Sequence, residues 1–506
     1  MANYEHCLLT DRLFQIRKTD GCETFCSLPE VLASMTRNEI EAFTALQKHQ
    51  QHSWHAFLVQ LAVITLHQND LSRCENTEDW EKMLLVATQN SYEAWSLVVT
   101  DLKNPAFMQP PVAENSLKEF KTVGTSPDLI DLLITAKNHD LKIERIVSPS
   151  PSHWLYSLIS LQSMQGFLGS GNYGIARMNG GFGSRPCATY RSSHLPGQIF
   201  IDDVEKCLSA RNLILELYEH YRSSGGLSLL WLETWDGTTQ LEMNQLDPFF
   251  IEICRRIRLT QMSGKITALV KPTKVARIIA KELNGCTGDP WTPVDSEKQK
   301  ALTLSSKGFD YQLSQEIIFG KGYKTGATQK ILNSSKDAFF WGSALVRGQG
   351  VTEGYCERKI KIPAKARKLM MSAAERDKLG ERSQKWINSV VLVRKNVLWP
   401  ALAKLSTERA PQFSDMFVQK VDQIYFQHFW AEIDSAEEGA NRAWENELLK
   451  IAEKILQLAI DRTPMKSTSY YRTSCEAEGL FNGCKRKHLP HLFIKEGTDG
   501  TNRISE

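Results

Sequence analysis

Between His52 and Gln68, Trp54, Phe57, Leu58, Leu61 and Thr65 recur at helical spacing, which lays one apolar stripe along a helix. His52, His55 and His67 lie around that stripe and read as solvated or capping side chains. From Ser152 onward, Trp154, Leu158, Leu161 and Gln165 repeat the pattern, and this helix stops in a glycine-rich loop. Such helices alternate with short β-like runs as far as Pro363, after which the pattern is helical alone. Trp386, Val390, Val393 and Val397 form one stripe, which Pro400 should kink or end. Met416, Phe417, Val421, Ile424 and Ile433 form a second, and Trp444, Leu448, Ile451, Ile455 and Ala459 a third. With a short basic helix near Ala364 to Ala374, these predict a bundle of about four antiparallel helices. The expected class is α+β: a large mixed domain over 1–365, a C-terminal helical bundle over 366–465, and a loosely ordered tail over 466–506.

Composition adds limits rather than detail. The chain has 506 residues, 42% apolar and 24% charged, which fits a globular protein of two to three domains and excludes wholesale disorder or a fibrous repeat. No uninterrupted apolar run is long enough for a membrane span, and the opening MANYEHCLLTDRLF lacks the layout of a signal peptide. Cytoplasmic residence is therefore expected. The 11 cysteines, from Cys7 to Cys484, are expected to be reduced thiols. Cys22 and Cys26 have no second pair nearby, and the gap between Cys475 and Cys484 is too wide for a usual finger with His488 and His491. Neither a metal nor a cofactor is expected.

Net charge is only +3, but it is unevenly distributed. Cys254 to Lys281 carries Arg255, Arg256, Arg258, Lys265, Lys271, Lys274, Arg277 and Lys281 with no acidic residue. A second basic stretch runs from Arg347 to Lys368, whereas Glu432 to Lys450 is acidic. Two basic stretches in a near-neutral chain point to a polyanion, which gains affinity by exchanging condensed counterions for Lys and Arg. A solvated face balanced by distant acids is the competing reading.

Motifs for catalysis do not emerge. Gly169-Ser170-Gly171-Asn172-Tyr173-Gly174 has GxGxxG spacing but follows a helix rather than a strand, the wrong context for a dinucleotide site. Gly320 to Gly326 lacks the ending of a phosphate loop and reads as a turn. No GxSxG or HExxH is present, and Asp202 and Asp203 read as structural. Two other segments stand out. Arg177-Met178-Asn179-Gly180-Gly181-Phe182-Gly183-Ser184-Arg185-Pro186 allows close backbone approach, though composition alone favours a tight turn, and Arg347-Gly348-Gln349-Gly350 would let Gln349 protrude from a Gly-flanked turn, though by composition it is equally a plain hairpin.

These segments, in this order, resemble the large subunit of the type I-E CRISPR surveillance complex Cascade, the CasA family. The likeness also takes in Cys7-Leu8-Leu9-Thr10-Asp11, Ser27-Leu28-Pro29-Glu30, Asn104 to Gln109, Ala136 to Asp140 and Leu246-Asp247-Pro248-Phe249-Phe250. It implies a non-catalytic subunit at one end of a crRNA-bound complex. Such a subunit recognises the protospacer-adjacent motif in double-stranded DNA, promotes strand opening and R-loop formation, and recruits a helicase-nuclease. The implied partners are the crRNA-containing Cascade subunits, target DNA and that helicase-nuclease, with no membrane.

Carried over by position, the resemblance implies that Asn179, Gly180 and Gly181 lie against the minor groove, with Lys281 reaching into it and Lys274 or Arg277 as alternatives. Gln349, between Gly348 and Gly350, matches the family's strand-separating wedge. Arg255, Arg256, Arg258, Lys274 and Arg277 are expected on the DNA backbone, and Lys137, Asn138 and His139 on a complex-docking loop. Some relatives carry clustered cysteines where Cys254 and Cys286 here stand alone, a further reason to expect no metal. The alternatives are a nuclease or hydrolase built from scattered acids, and a structural RNA- or protein-binding scaffold.

Overall fold

The computed structural model describes residues 3–133, 146–330, 338–348, 351–464 and 466–493. The chain forms two compact units, Met1–Phe309 with Gly322–Ala364, and Asp310–Lys321 with Lys365–Glu506.

In the first unit, helices α1 (Leu28–Thr36), α2 (Gln51–Gln68), α3 (Thr77–Ala87), α4 (Pro151–Met164) and α5 (Pro196–Leu217) stand among small sheets of two or three strands. A capping box fixes the start of α1: Glu30 N–H donates to Ser27 Oγ, and the Ser27 N–H donates to the Glu30 carboxylate. The predicted stripe on α2 is real but too narrow a description, because α4, α5 and the strand Leu246–Ile251 all pack on this helix. Its central aromatic, Trp54, meets Phe14 at 5.1 Å, Tyr156 at 5.3 Å and Phe57 at 5.7 Å between ring centroids. The expectation for the flanking histidines is corrected at two of three positions. His52 is buried, and loss of hydration, reinforced by nearby His49 and Arg185, pushes its pKa down to about 3. His55 lies 2.9 Å from the Asp203 carboxylate, while His67 is exposed.

A long hairpin closes this unit. Ala338–Gly348 pairs antiparallel with Val351–Ile362, from Ala338 opposite Ile362 to Gly348 opposite Val351. The strand Cys187–Arg191 lies on the hairpin's other side, but only from Phe339 to Ser343, so the distal half of the hairpin continues past it.

The second unit consists of α6 (Tyr311–Phe319), α7 (Ala364–Met370, entered from the preceding unit's last residue), α8 (Ala373–Leu392), α9 (Trp399–Leu405), α10 (Ala410–Ala431), α11 (Glu437–Arg462) and α12 (Ser467–His488). Trp386 of α8 stacks on Trp444 of α11 at 4.7 Å, and Phe429 of α10 meets Trp386 edge-on at 5.3 Å. Three features differ from expectation. Residues 310–321 fold with these helices, because the buried face of α6 packs Phe319 against Phe429 and Gln315 accepts from the Ser383 hydroxyl. Pro400 does not end its helix: a wider π turn over Val393–Leu398 precedes it and takes up the clash that a proline ring makes with the preceding turn. The stretch expected to be a loose tail holds α12, which packs on α9 and buries Ala477 and Phe481.

Candidate nucleic-acid interface

The glycine segment 177–185 is a loop held at both ends by one carboxylate. Arg177 and Arg185 are 2% and 1% exposed, and their guanidiniums lie 3.3 Å and 2.6 Å from the same oxygen of Asp289. Arg177 also stacks on Phe250 at 3.7 Å and donates to its carbonyl oxygen. Burial opposes ionisation of Asp289, but the two guanidiniums, Arg185 foremost, hold its carboxyl below the usual range. Glu252 completes the group: it accepts from the Ala176 N–H at 2.7 Å and stands 3.6 Å from Arg177.

For Glu252, burial outweighs the pull of Arg177 and raises the pKa to about 7. A carboxyl raised in the folded state favours folding most at low pH, and that contribution is lost as pH rises from the unfolded value of about 4.5 through about 7. Glu252→Gln should therefore gain melting temperature relative to the natural chain between about pH 5 and about pH 8, by the equivalent of about 2 kcal/mol. Thermal melts at both pH values check this, and a pH-independent difference would show Glu252 ionised throughout.

Within the loop, backbone packs on backbone. Gly166 N–H donates to Gly183 carbonyl at 2.9 Å and Phe167 N–H to Gly181 carbonyl at 3.1 Å; a Cβ on Gly166 would stand 2.3 Å from the Gly181 oxygen. The partner of the second glycine run is thus Gly166–Phe167, just before the GxGxxG segment, whose Gly174 packs on these two residues and whose Gly171 packs on Pro272. Asn179 braces the turn: its Nδ2 donates to Ala301 carbonyl at 2.6 Å, and its Oδ1 accepts from the Gly181 N–H and the Thr303 hydroxyl. What this brace presents to solvent is Gly180, exposed, at φ +81°, with no atom within 4 Å of where a Cβ would stand.

Beside Gly180 opens a cleft of about 630 Å³ with an apolar floor that includes Tyr173, Ile175 and Ile278. Asn179, Gly180, Lys274 and Lys281 all border it. Lys274 and Lys281 are exposed and make no ion pair among the described residues. The loop is also joined to the hairpin: Ser184 N–H donates to Leu345 carbonyl at 3.0 Å, Leu345 N–H donates to Ser184 Oγ at 2.7 Å, and a Cβ on Gly183 would press on the Leu345 oxygen at 2.7 Å. Three of the expected elements therefore meet in one unit: the glycine loop, the lysine edge and the strand that ends at Gly348. Gln349 and Gly350, and Lys137, Asn138 and His139, lie outside the described residues.

The expected backbone-contacting arginines are corrected. Arg258 is fully buried and donates to the carbonyls of Val99, Asn104 and Asp101 at 3.1, 3.2 and 3.3 Å. Arg256 is buried and pairs with Glu114 at 2.6 Å, and Arg255 is buried against the carbonyls of Asn172, Tyr173 and Cys254. Arg277 donates to Glu233 carbonyl and lies 5.3 Å from the centre of the Trp235 ring. These four cations hold the fold; of the assigned backbone contacts, Lys274 alone faces solvent. Reasoning from sequence also missed Asp289 and Thr303. Nothing in the residue pattern signals that Arg177 and Arg185 share a carboxylate more than 100 positions away.

Acids elsewhere are tied into structure: Asp203 to His55 and Lys206, Asp202 to Gln198 and Ser192, and Asp247 to Arg211. Among the described residues no three His, Cys, Asp or Glu side chains gather as metal ligands would, and no helix is long and apolar enough to cross a membrane. His491 lies 2.5 Å from Glu445.

No family model matches the sequence, and no curated protein matches it. Solved structures do. Cse1 of Acidimicrobium ferrooxidans, a CRISPR-associated protein, aligns over 96% of this chain and 99% of its own at 11% identity and a TM-score of 0.62. CasA (Cse1) of Thermus thermophilus aligns over 96% and 100% at 10% identity and a TM-score of 0.60. A chain of a CRISPR RNA-guided surveillance complex aligns over 95% and 99% at 12% identity and a TM-score of 0.51. Along nearly its whole length, this chain has the Cse1/CasA fold.

Proposed function

We propose that the protein is the large, non-catalytic subunit of an RNA-guided type I-E surveillance complex. In this role it reads the protospacer-adjacent motif in duplex DNA through the minor groove, promotes strand opening and recruits a helicase-nuclease. The observation that carries the proposal is the bare backbone at Gly180, held out by Asn179 beside two lysines that make no ion pair among the described residues, and joined through Ser184 to the hairpin. The minor groove is about 6 Å wide, so a glycine backbone with a flanking Lys enters where a branched side chain would not. The proposed partners are crRNA-containing subunits, double-stranded DNA and the nuclease they recruit, in the cytoplasm.

Binding of the purified chain to duplexes with and without the motif tests the reading, together with co-purification of a guide RNA and smaller companion subunits. Cleavage of labelled DNA by the chain alone with Mg²⁺ would instead favour an enzyme. Gln349 is proposed as the wedge. Gln349→Ala should leave folding and duplex binding intact and slow strand opening several-fold, because the cost of unstacking, a few kcal/mol per step, is no longer offset by the inserted side chain. Normal R-loop formation by that variant in the assembled complex would rule the assignment out.

A further inference from the structure

The segment Lys300–Lys307, KALTLSSK, runs from the glycine loop to the hairpin and carries no acid. One end is fixed to the loop: Ala301 carbonyl accepts from Asn179 Nδ2, and the Thr303 hydroxyl donates to Asn179 Oδ1 at 2.9 Å. The other end is fixed to the hairpin, where a Cβ on Gly308 would stand 3.1 Å from the Cys356 side chain and Phe309 packs on Gly342. Between these anchors Leu302 and Leu304 turn inward, 6% and 9% exposed, which pins the strap and turns its polar residues outward. Lys300, Thr303, Ser305, Ser306 and Lys307 are all exposed, and neither lysine makes an ion pair among the described residues.

We infer that this strap is a phosphate-contacting edge, with Lys300 and Lys307 neutralising the sugar–phosphate backbone of the same duplex whose motif faces Gly180. The inference rests on the function proposed above and adds residues to that site. Hydroxyls and ammonium groups in an acid-free row suit phosphate oxygens, and such contacts position a duplex without reading its sequence. The strap spans the interval between the motif-facing loop and the hairpin, where a bound duplex must pass to touch both.

The test uses the full chain and a labelled duplex, with affinity measured between about 50 and 200 mM salt. Lys300→Gln with Lys307→Gln should lower the slope of log affinity against log salt by about 2, one phosphate contact per lysine. Duplexes with and without the motif should weaken alike, and the Arg pair of substitutions at the same positions should restore the slope. Both positions are exposed, so the melting temperature should not move. An unchanged slope in the Gln variant, with normal motif preference in the natural chain, would overturn the strap and leave the proposed function standing. Loss confined to single-stranded RNA binding would overturn it too. A natural chain that binds the duplex with no motif preference, yet loses slope in the variant, would uphold the strap and refute motif reading.

Discussion

A Gly180→Val chain is expected to lose its preference for duplexes carrying the motif while remaining folded. Nothing in the protein lies where the new side chain would stand, so the structural cost is confined to holding a branched residue at φ +81°, about 1–2 kcal/mol. The functional cost is much larger. The isopropyl group would project from the surface proposed to enter a groove about 6 Å wide, and the backbone atoms could no longer approach the base edges. Competition between matched and motif-free duplexes should show the affinity ratio fall to about one, against a melting temperature lowered by a few degrees. If the ratio survives, the reading surface lies elsewhere on the loop or off it.

The second large effect is expected at Asp289. Asp289→Ala would leave Arg177 and Arg185 buried without their common counter-charge, and breaking a buried ion pair from one side costs about 3–5 kcal/mol. Glu252 does not replace it on both sides: it stands 3.6 Å from Arg177, whereas the ion pair of Arg185 among the described residues is with Asp289. The denaturation midpoint should fall accordingly, and motif binding should be lost with the loop. A loss below about 1 kcal/mol would mean that the Phe250 carbonyl and the Gln60 amide oxygen suffice for the two guanidiniums.

Much of the second unit was legible because period alone decides it: Trp386, Trp444 and Val421 lie on the predicted stripes and are buried. Of the two outcomes expected at Pro400, an end is not found: the regular α pattern gives way to a π turn before it and the helix then continues. The basic run was misjudged for a different reason. Arg258 is engaged through one guanidinium nitrogen by backbone carbonyls, which leave no trace in residue identity, and Arg256 by Glu114, 142 positions away. Charge along a sequence shows where cations are, not which have been spent on the fold. The glycine loop was legible through its composition as a turn whose backbone can be closely approached, but the brace that shapes it was not. Asn179 was expected to read DNA, yet its amide is engaged with Ala301, Gly181 and Thr303, contacts that only the folded chain brings within reach.

The pair of hydrogen bonds between Ser184 and Leu345 has a mechanical corollary. It fastens the loop to the hairpin as a finger is fastened to a lever, so strain at one is transmitted to the other without a flexible joint between them. Under the proposed function, engineering that loosens the loop to accept new sequences should therefore blunt the lever in the same clones, and broadened targeting would arrive with slower unzipping unless the hairpin is redesigned with it.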